Sequence, residues 1–260
     1  MRVSISGQIV SNDDAWIYEW FGIPCSCPDI IRKAIADTPE GDTLTVEINS
    51  GGGDVFAGFE MYTLLRQAAC PTVAEVQSLA ASAASTAMIG CDTVLLSPVA
   101  QVMIHMPSCE TYGNEDDHRE SIAVLESILV SILNGYELKC RGRADREQLE
   151  QLVRSSTWMS VQDAMALGLA DGVLGEEEGL TMTSRIVNAA RGFGGLQMPS
   201  KAELLAEYHR RVADGAAPAA GHGVAPVSNS TPPTGEATPS DTSWRDHAAL
   251  ALQYEKIKFL

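Results

Sequence analysis

Apolar and polar positions alternate in short runs along the first 175 residues, and between those runs the apolar spacing lengthens to three or four. The alternating runs predict strands over Arg2–Val10, Thr43–Asn49, Thr72–Gln77, Thr93–Ser97 and Gln101–His105. The longer spacing predicts helices over Pro28–Ala36, Asp54–Ala69 and Ala81–Ile89, and a long one from about Asn114 to Cys140. In that long segment Ile122, Leu125, Leu129, Ile132, Tyr136 and Cys140 form one apolar stripe. Two shorter helices, Arg146–Arg154 and Val161–Leu167, follow. Strands alternating with helices predict an α/β fold with a parallel-rich sheet.

The pattern weakens near residue 176, so residues 1–176 read as one folded domain. Residues 177–213 read as a partly helical extension, opening on a solvated GEEEG turn. Residues 214–241 are rich in Pro, Gly, Ala, Ser and Thr and bury too little apolar surface to offset ordering entropy. They are predicted to be a disordered linker. Apolar content returns in residues 242–260, predicted to be a short helical tail. There is no internal repeat.

Composition narrows the function. A net charge of −16 over 260 residues argues against nucleic acid and anionic membrane as partners, because both would repel the chain. No uninterrupted apolar run of about 18 residues is present, so no membrane span is predicted. The N-terminal stretch lacks the apolar segment of a secretory signal, which points to a cytoplasmic protein. The six cysteines fit buried free thiols. Cys25 and Cys27 lack a second close pair or a nearby His, so neither a metal site nor a cofactor is predicted.

Candidate chemistry gathers in four stretches. INSGGGDVFAGF (Ile48–Phe59) runs a strand into three glycines, whose backbone N–H groups are unobstructed by side chains. VQSLAASAASTAMIGC (Val76–Cys91) places Ser82 at a strand-to-helix turn. There its hydroxyl can act as nucleophile while the Ala83 N–H serves as an oxyanion donor. A capping serine in a tightly packed helix accounts for the same residues. QVMIHMP (Gln101–Pro107) ends a strand on His105, a structural histidine or a general base for Ser82. SSTWMSVQDAMALGLADGVL (Ser155–Leu174) reads as a helix, a turn and a closing strand.

Taken in order, INSGGGDVFAGFEMYTLL, LAASAASTAMIG, VMIHMP and STWMSVQDAMALGLADGV resemble the proteolytic subunit of the caseinolytic protease, the ClpP family. The resemblance is greatest to the ClpP-like head-maturation proteases of tailed phages and prophages. It implies a stack of β-α-β units shared with crotonases, with the long helix projecting from the head. It implies a serine endopeptidase with Ser82 as nucleophile, His105 as base, and the amides of Gly52 or Gly53 and Ala83 as the oxyanion hole. Ser85 and the neighbouring alanines are then left to close packing. The resemblance also implies a homo-oligomeric ring, a heptamer or double ring, acting on protein or peptide substrates. An unfoldase or capsid proteins are the implied partners, in the host cytoplasm or a procapsid. The family's third triad position falls on Ser156, where an acid is expected and missing; Asp171 is the nearest stand-in. Lys33 and Lys139 lie on helices away from the Ser82 turn, against a Ser–Lys dyad. A crotonase-like acyl-CoA enzyme and a non-catalytic scaffold remain as alternatives.

Overall fold

The computed structural model describes residues 1–175, 187–188, 199–214 and 258–259. Its strands are β1 (Arg2–Ile9), β2 (Cys25–Ser26), β3 (Leu44–Gly53), β4 (Thr72–Ala81), β5 (Thr93–Leu96), β6 (Gln101–Ile104), β7 (Cys109–Glu110), β8 (Thr157–Met159), β9 (Gly172–Val173), β10 (Val187–Asn188) and β11 (Lys258–Phe259). Its helices are α1 (Ala15–Trp20), α2 (Pro28–Asp37), α3 (Val55–Arg66), α4 (Ala83–Met88), α5 (Glu115–Cys140), α6 (Arg146–Arg154), α7 (Val161–Leu167) and α8 (Lys201–Ala213).

One sheet runs in the order β10-β8-β6-β4-β3-β1-β2, parallel from β2 to β6 and antiparallel from β6 to β10. The long strand β4 divides one edge between two partners. Val73–Val76 pair with β5, and Leu79–Ala81 pair with β6. That division lets β5 and β9 splay to one side while β6 carries His105 alongside the end of β4. The core is continuous across the sheet: Ile5, Val46, Ile48, Ala74, Val76, Val94, Val102 and Ile104 are all fully buried. A parallel sheet needs helices to cover its faces, and the predicted α/β fold is what forms.

Local signals explain the element ends. The Asp54 carboxylate accepts from the Ala57 N–H at 2.7 Å and caps α3. Asn114 with Asp117, and Ser160 with Asp163, close capping boxes on α5 and α7. The alanine run of α4 matters for proximity. A Cβ added at Gly58 on α3 would lie 3.0 Å from the Ala83 Cβ, so the two helices touch only because both residues are small.

The structure corrects several expectations. Helix α1 falls where the sequence pattern predicts no element. Ser155–Leu174 opens on antiparallel strand β8 rather than a helix. The stripe on α5 is buried only from Leu129 onward; Ile122 is 56% exposed. Helix α5 is also long and apolar enough to cross a bilayer by length and composition, although Ile128, Leu129, Ile132, Leu133, Tyr136 and Cys140 pack into the protein core.

Beyond residue 175, α8 docks on α1. Leu204 is buried beside Val10, Ile17 and Tyr18, Tyr208 meets Trp16 and Trp20 edge-on, and Lys201 pairs with Asp14 at 2.7 Å. The expected linker (215–241 of 214–241) lies outside the described residues. So does the expected helical tail, apart from Lys258–Phe259, which pair as a strand with Cys109–Glu110.

Candidate active site

The turn after β4 is where the chain departs most from ordinary backbone geometry. Ser82 has φ 55° and ψ −126°, a region that L-residues with a Cβ rarely occupy. Strain of this kind costs roughly 1–3 kcal/mol and persists only where its surroundings fix it. Four bonds do so. The Ser82 N–H donates to the Met103 carbonyl at 2.9 Å, and the Ser82 carbonyl accepts from the Ser85 N–H at 2.9 Å, the Thr86 N–H at 3.3 Å and the Ser85 Oγ at 2.6 Å. The result is a sharp strand-to-helix turn that lifts the hydroxyl clear of the sheet.

His105 follows the last residue of β6, and β6 pairs with the end of β4 through Ala81 and Met103. That register brings the two side chains together: His105 Nε2 lies 2.7 Å from Ser82 Oγ. Burial holds the imidazole pKa below its ordinary value, and among the described residues no charged neighbour contributes to the shift. A neutral imidazole accepting from the hydroxyl at Nε2 carries its proton on Nδ1. The pair can therefore move the serine proton onto the ring.

The glycine turn comes to the same point from β3. Gly52 has φ 98°, and a Cβ there would meet the Ala81 carbonyl at 2.7 Å, the Ser82 Cβ at 2.7 Å and the Ala83 nitrogen at 3.0 Å. Only glycine allows this approach. The Gly52 N–H itself donates to Ser50 Oγ at 3.1 Å, which narrows the candidate oxyanion donors to Gly53 and Ala83. Ala83 is the first residue of α4, where amides have no acceptor within the helix. Val55, Thr86, Pro107, Ile132 and Tyr136 complete a mostly apolar cleft around Ser82 and His105.

The third position is less complete. Thr157 pairs with Ile104 at the end of the β6–β8 register, and Ser156 and His105 each lie one residue beyond that pair. Its backbone is left-handed, with φ 50°, and its N–H donates to the Val153 carbonyl. Among the described residues no carboxylate hydrogen-bonds His105. Asp171 is engaged elsewhere: its Oδ2 accepts from Lys139 Nζ at 2.7 Å and from the Val94 N–H at 2.8 Å, tying β5 to α5. Lys139 is thereby accounted for as a buried ion-pair partner, its side chain 6% exposed.

Ser85 does more than pack. Its hydroxyl lies 2.7 Å from the Tyr136 hydroxyl, a contact between residues 51 apart that spacing could not reveal.

Fold and site together define an α/β chain carrying a serine–histidine pair beside a glycine turn. The chain belongs to the Clp protease family, whose model matches residues 34–177. It is 30% identical over 145 residues to the ATP-dependent Clp protease proteolytic subunit 1 of Chlamydia muridarum, covering 53% of this chain and 72% of that one. The corresponding subunit of Chlamydia abortus is 30% identical over 159 residues, covering 57% and 80%. Among solved structures, a ClpP1 point mutant from Listeria monocytogenes superposes with a TM-score of 0.53 at 18% identity, covering 68% of this chain and 92% of that one. The fold is therefore the ClpP-like α/β fold, and the homologues are serine peptidases.

Proposed function

We propose that the chain is a serine endopeptidase that hydrolyses peptide bonds at Ser82. The observation that carries this reading is the 2.7 Å contact of His105 Nε2 with a strained Ser82 beside two candidate oxyanion amides. Ser82 Oγ attacks the scissile carbonyl carbon as its proton passes to His105 Nε2, and the amides of Gly53 and Ala83 receive the oxyanion. The imidazolium then protonates the leaving amine. Water, deprotonated by the same ring, hydrolyses the acyl-serine and releases the new carboxylate. The apolar lining of Val55, Pro107 and Ile132 favours an apolar side chain next to the scissile bond.

Assembly is part of the proposal. Exposed Ile122, Val130 and Leu138 on α5 offer apolar surface for a second copy of the chain to cover. A ring of such copies would enclose the sites. The narrower role in head maturation, with capsid proteins as substrates, rests on the sequence resemblance and would be tested by cleavage of such proteins.

A second reading, a scaffold without activity, is favoured by the absence of a carboxylate at position 156. An acyl-CoA enzyme has no use for the Ser82–His105 pair. Labelling with a fluorophosphonate, then locating the modified residue, separates the readings. Label on Ser82 supports the protease; folded, oligomeric protein that takes no label supports the scaffold.

A further inference from the structure

We propose that Tyr136 and Ser85 form a positioning relay that fixes the oxyanion-donating peptide of the nucleophile turn. The inference rests on the proposed function, and it begins with the direction of two hydrogen bonds. Ser85 Oγ donates its only proton to the Ser82 carbonyl at 2.6 Å. Its 2.7 Å bond with the Tyr136 hydroxyl therefore has the phenol as donor. The chain of donation runs one way, from Tyr136 on α5 through Ser85 to the carbonyl of Ser82.

That carbonyl belongs to the same peptide unit as the Ala83 N–H. A trans peptide is planar, and its C=O and N–H point in opposite directions. Holding the Ser82 oxygen inward on Ser85 therefore holds the Ala83 N–H outward, toward the position where an oxyanion forms. Ser85 is 0% exposed and Tyr136 2%, so water does not compete for either hydroxyl. Burial also raises the phenol pKa, which keeps Tyr136 protonated as a donor.

A relay of this kind acts on the transition state, where charge gathers on the oxyanion, and leaves ground-state binding alone. Tyr136→Phe removes one oxygen and keeps the ring. It should lower kcat, and the rate of fluorophosphonate labelling at Ser82, by about tenfold with KM unchanged. Ser85→Ala should lose at least as much, Ser85→Thr should restore part of it, and Tyr136→Phe with Ser85→Ala should be no worse than Ser85→Ala. Independent losses that multiply, or a kcat within twofold of wild type in both single variants, would overturn the relay. A second arm needs no turnover: in Tyr136→Phe the amide resonances of Ala83, Ser85 and Thr86 should shift, and unchanged resonances would overturn it equally. Wild-type protein that never labels at Ser82 counts against the proposed function, while the amide shifts still decide the relay.

Discussion

Ser82 and Ser156 both stand in left-handed backbone, with φ of 55° and 50°, next to the two strands that flank β6. The similarity ends there. Ser82 is anchored at its N–H and its carbonyl, and its hydroxyl is on Nε2. Ser156 is held through its own N–H by Val153, and its side chain brings no charge to the ring. Asn and Asp tolerate left-handed backbone better than Ser, because their side chains bond locally. Position 156 therefore carries Ser in a backbone conformation that Asn or Asp adopts more readily. The Ser82 side makes a direct contact with His105, whereas the third position expected at Ser156 carries no charge.

The sharpest way to break this comparison is to remove each hydroxyl in turn. Ser82→Ala should lower peptide hydrolysis by at least about 10³-fold, with size-exclusion behaviour unchanged. Ser156→Ala should stay within about threefold of wild type. If Ser156→Ala were as damaging as Ser82→Ala, the neutral serine would be acting as the missing third member.

The next effect is a gain. Ser156→Asp should raise turnover about tenfold, equivalent to ~1.4 kcal/mol, by placing an anion beside the imidazolium of the transition state. A larger gain is not expected, because desolvating a carboxylate in an unprepared pocket is costly. Ser156→Asn relieves the same backbone without a charge and should gain little. Equal gains from Asp and Asn would assign the effect to conformation.

Asp171 sets the structural contrast to these positions. Its partner Lys139 is nearly buried, so Asp171→Asn leaves a cation uncompensated and should cost about 1–3 kcal/mol of stability, discounted for the partial exposure of Asp171 itself. Melting temperature should fall while the fluorophosphonate labelling rate, measured well below the transition, stays within twofold. Loss of labelling in folded protein would return Asp171 to the candidate site.

Much of this was legible in the chain. The periodic segments Arg146–Arg154 and Val161–Leu167 form helices with the predicted bounds, because local spacing and caps define them. Strands β3 and β4 run four residues past their predicted ends. Backbone pairing across the glycines after Ser50, and the small residues Ala80 and Ala81, carry no alternating pattern. Helix α1, only six residues long, offers too little periodicity to be seen. The proximity of Ser82, His105 and Gly52 was readable only as an order of motifs. Its physical basis is the division of the β4 edge between β5 and β6, a tertiary pairing with no local signature. The Ser85–Tyr136 contact was invisible for the same reason.

The smallest effect tests the electrostatics of His105 directly. Burial lowers its pKa from the ordinary value of 6.5, and among the described residues no anion opposes the shift. The neutral base therefore persists below pH 6.5, and the acid limb of kcat/KM should have its midpoint there. The stability sign follows from the same shift. Between the folded and unfolded values the unfolded chain binds the extra proton, so stability is fully present above the unfolded value and declines as pH falls toward the folded one. Ser156→Asp adds an opposite charge next to the ring, which favours imidazolium and should move the acid limb upward by about one unit. Ser156→Asn should leave the limb in place. A limb that stays fixed in Ser156→Asp while turnover rises would show that the carboxylate does not reach the imidazole, and the two sides of His105 would then differ in backbone alone.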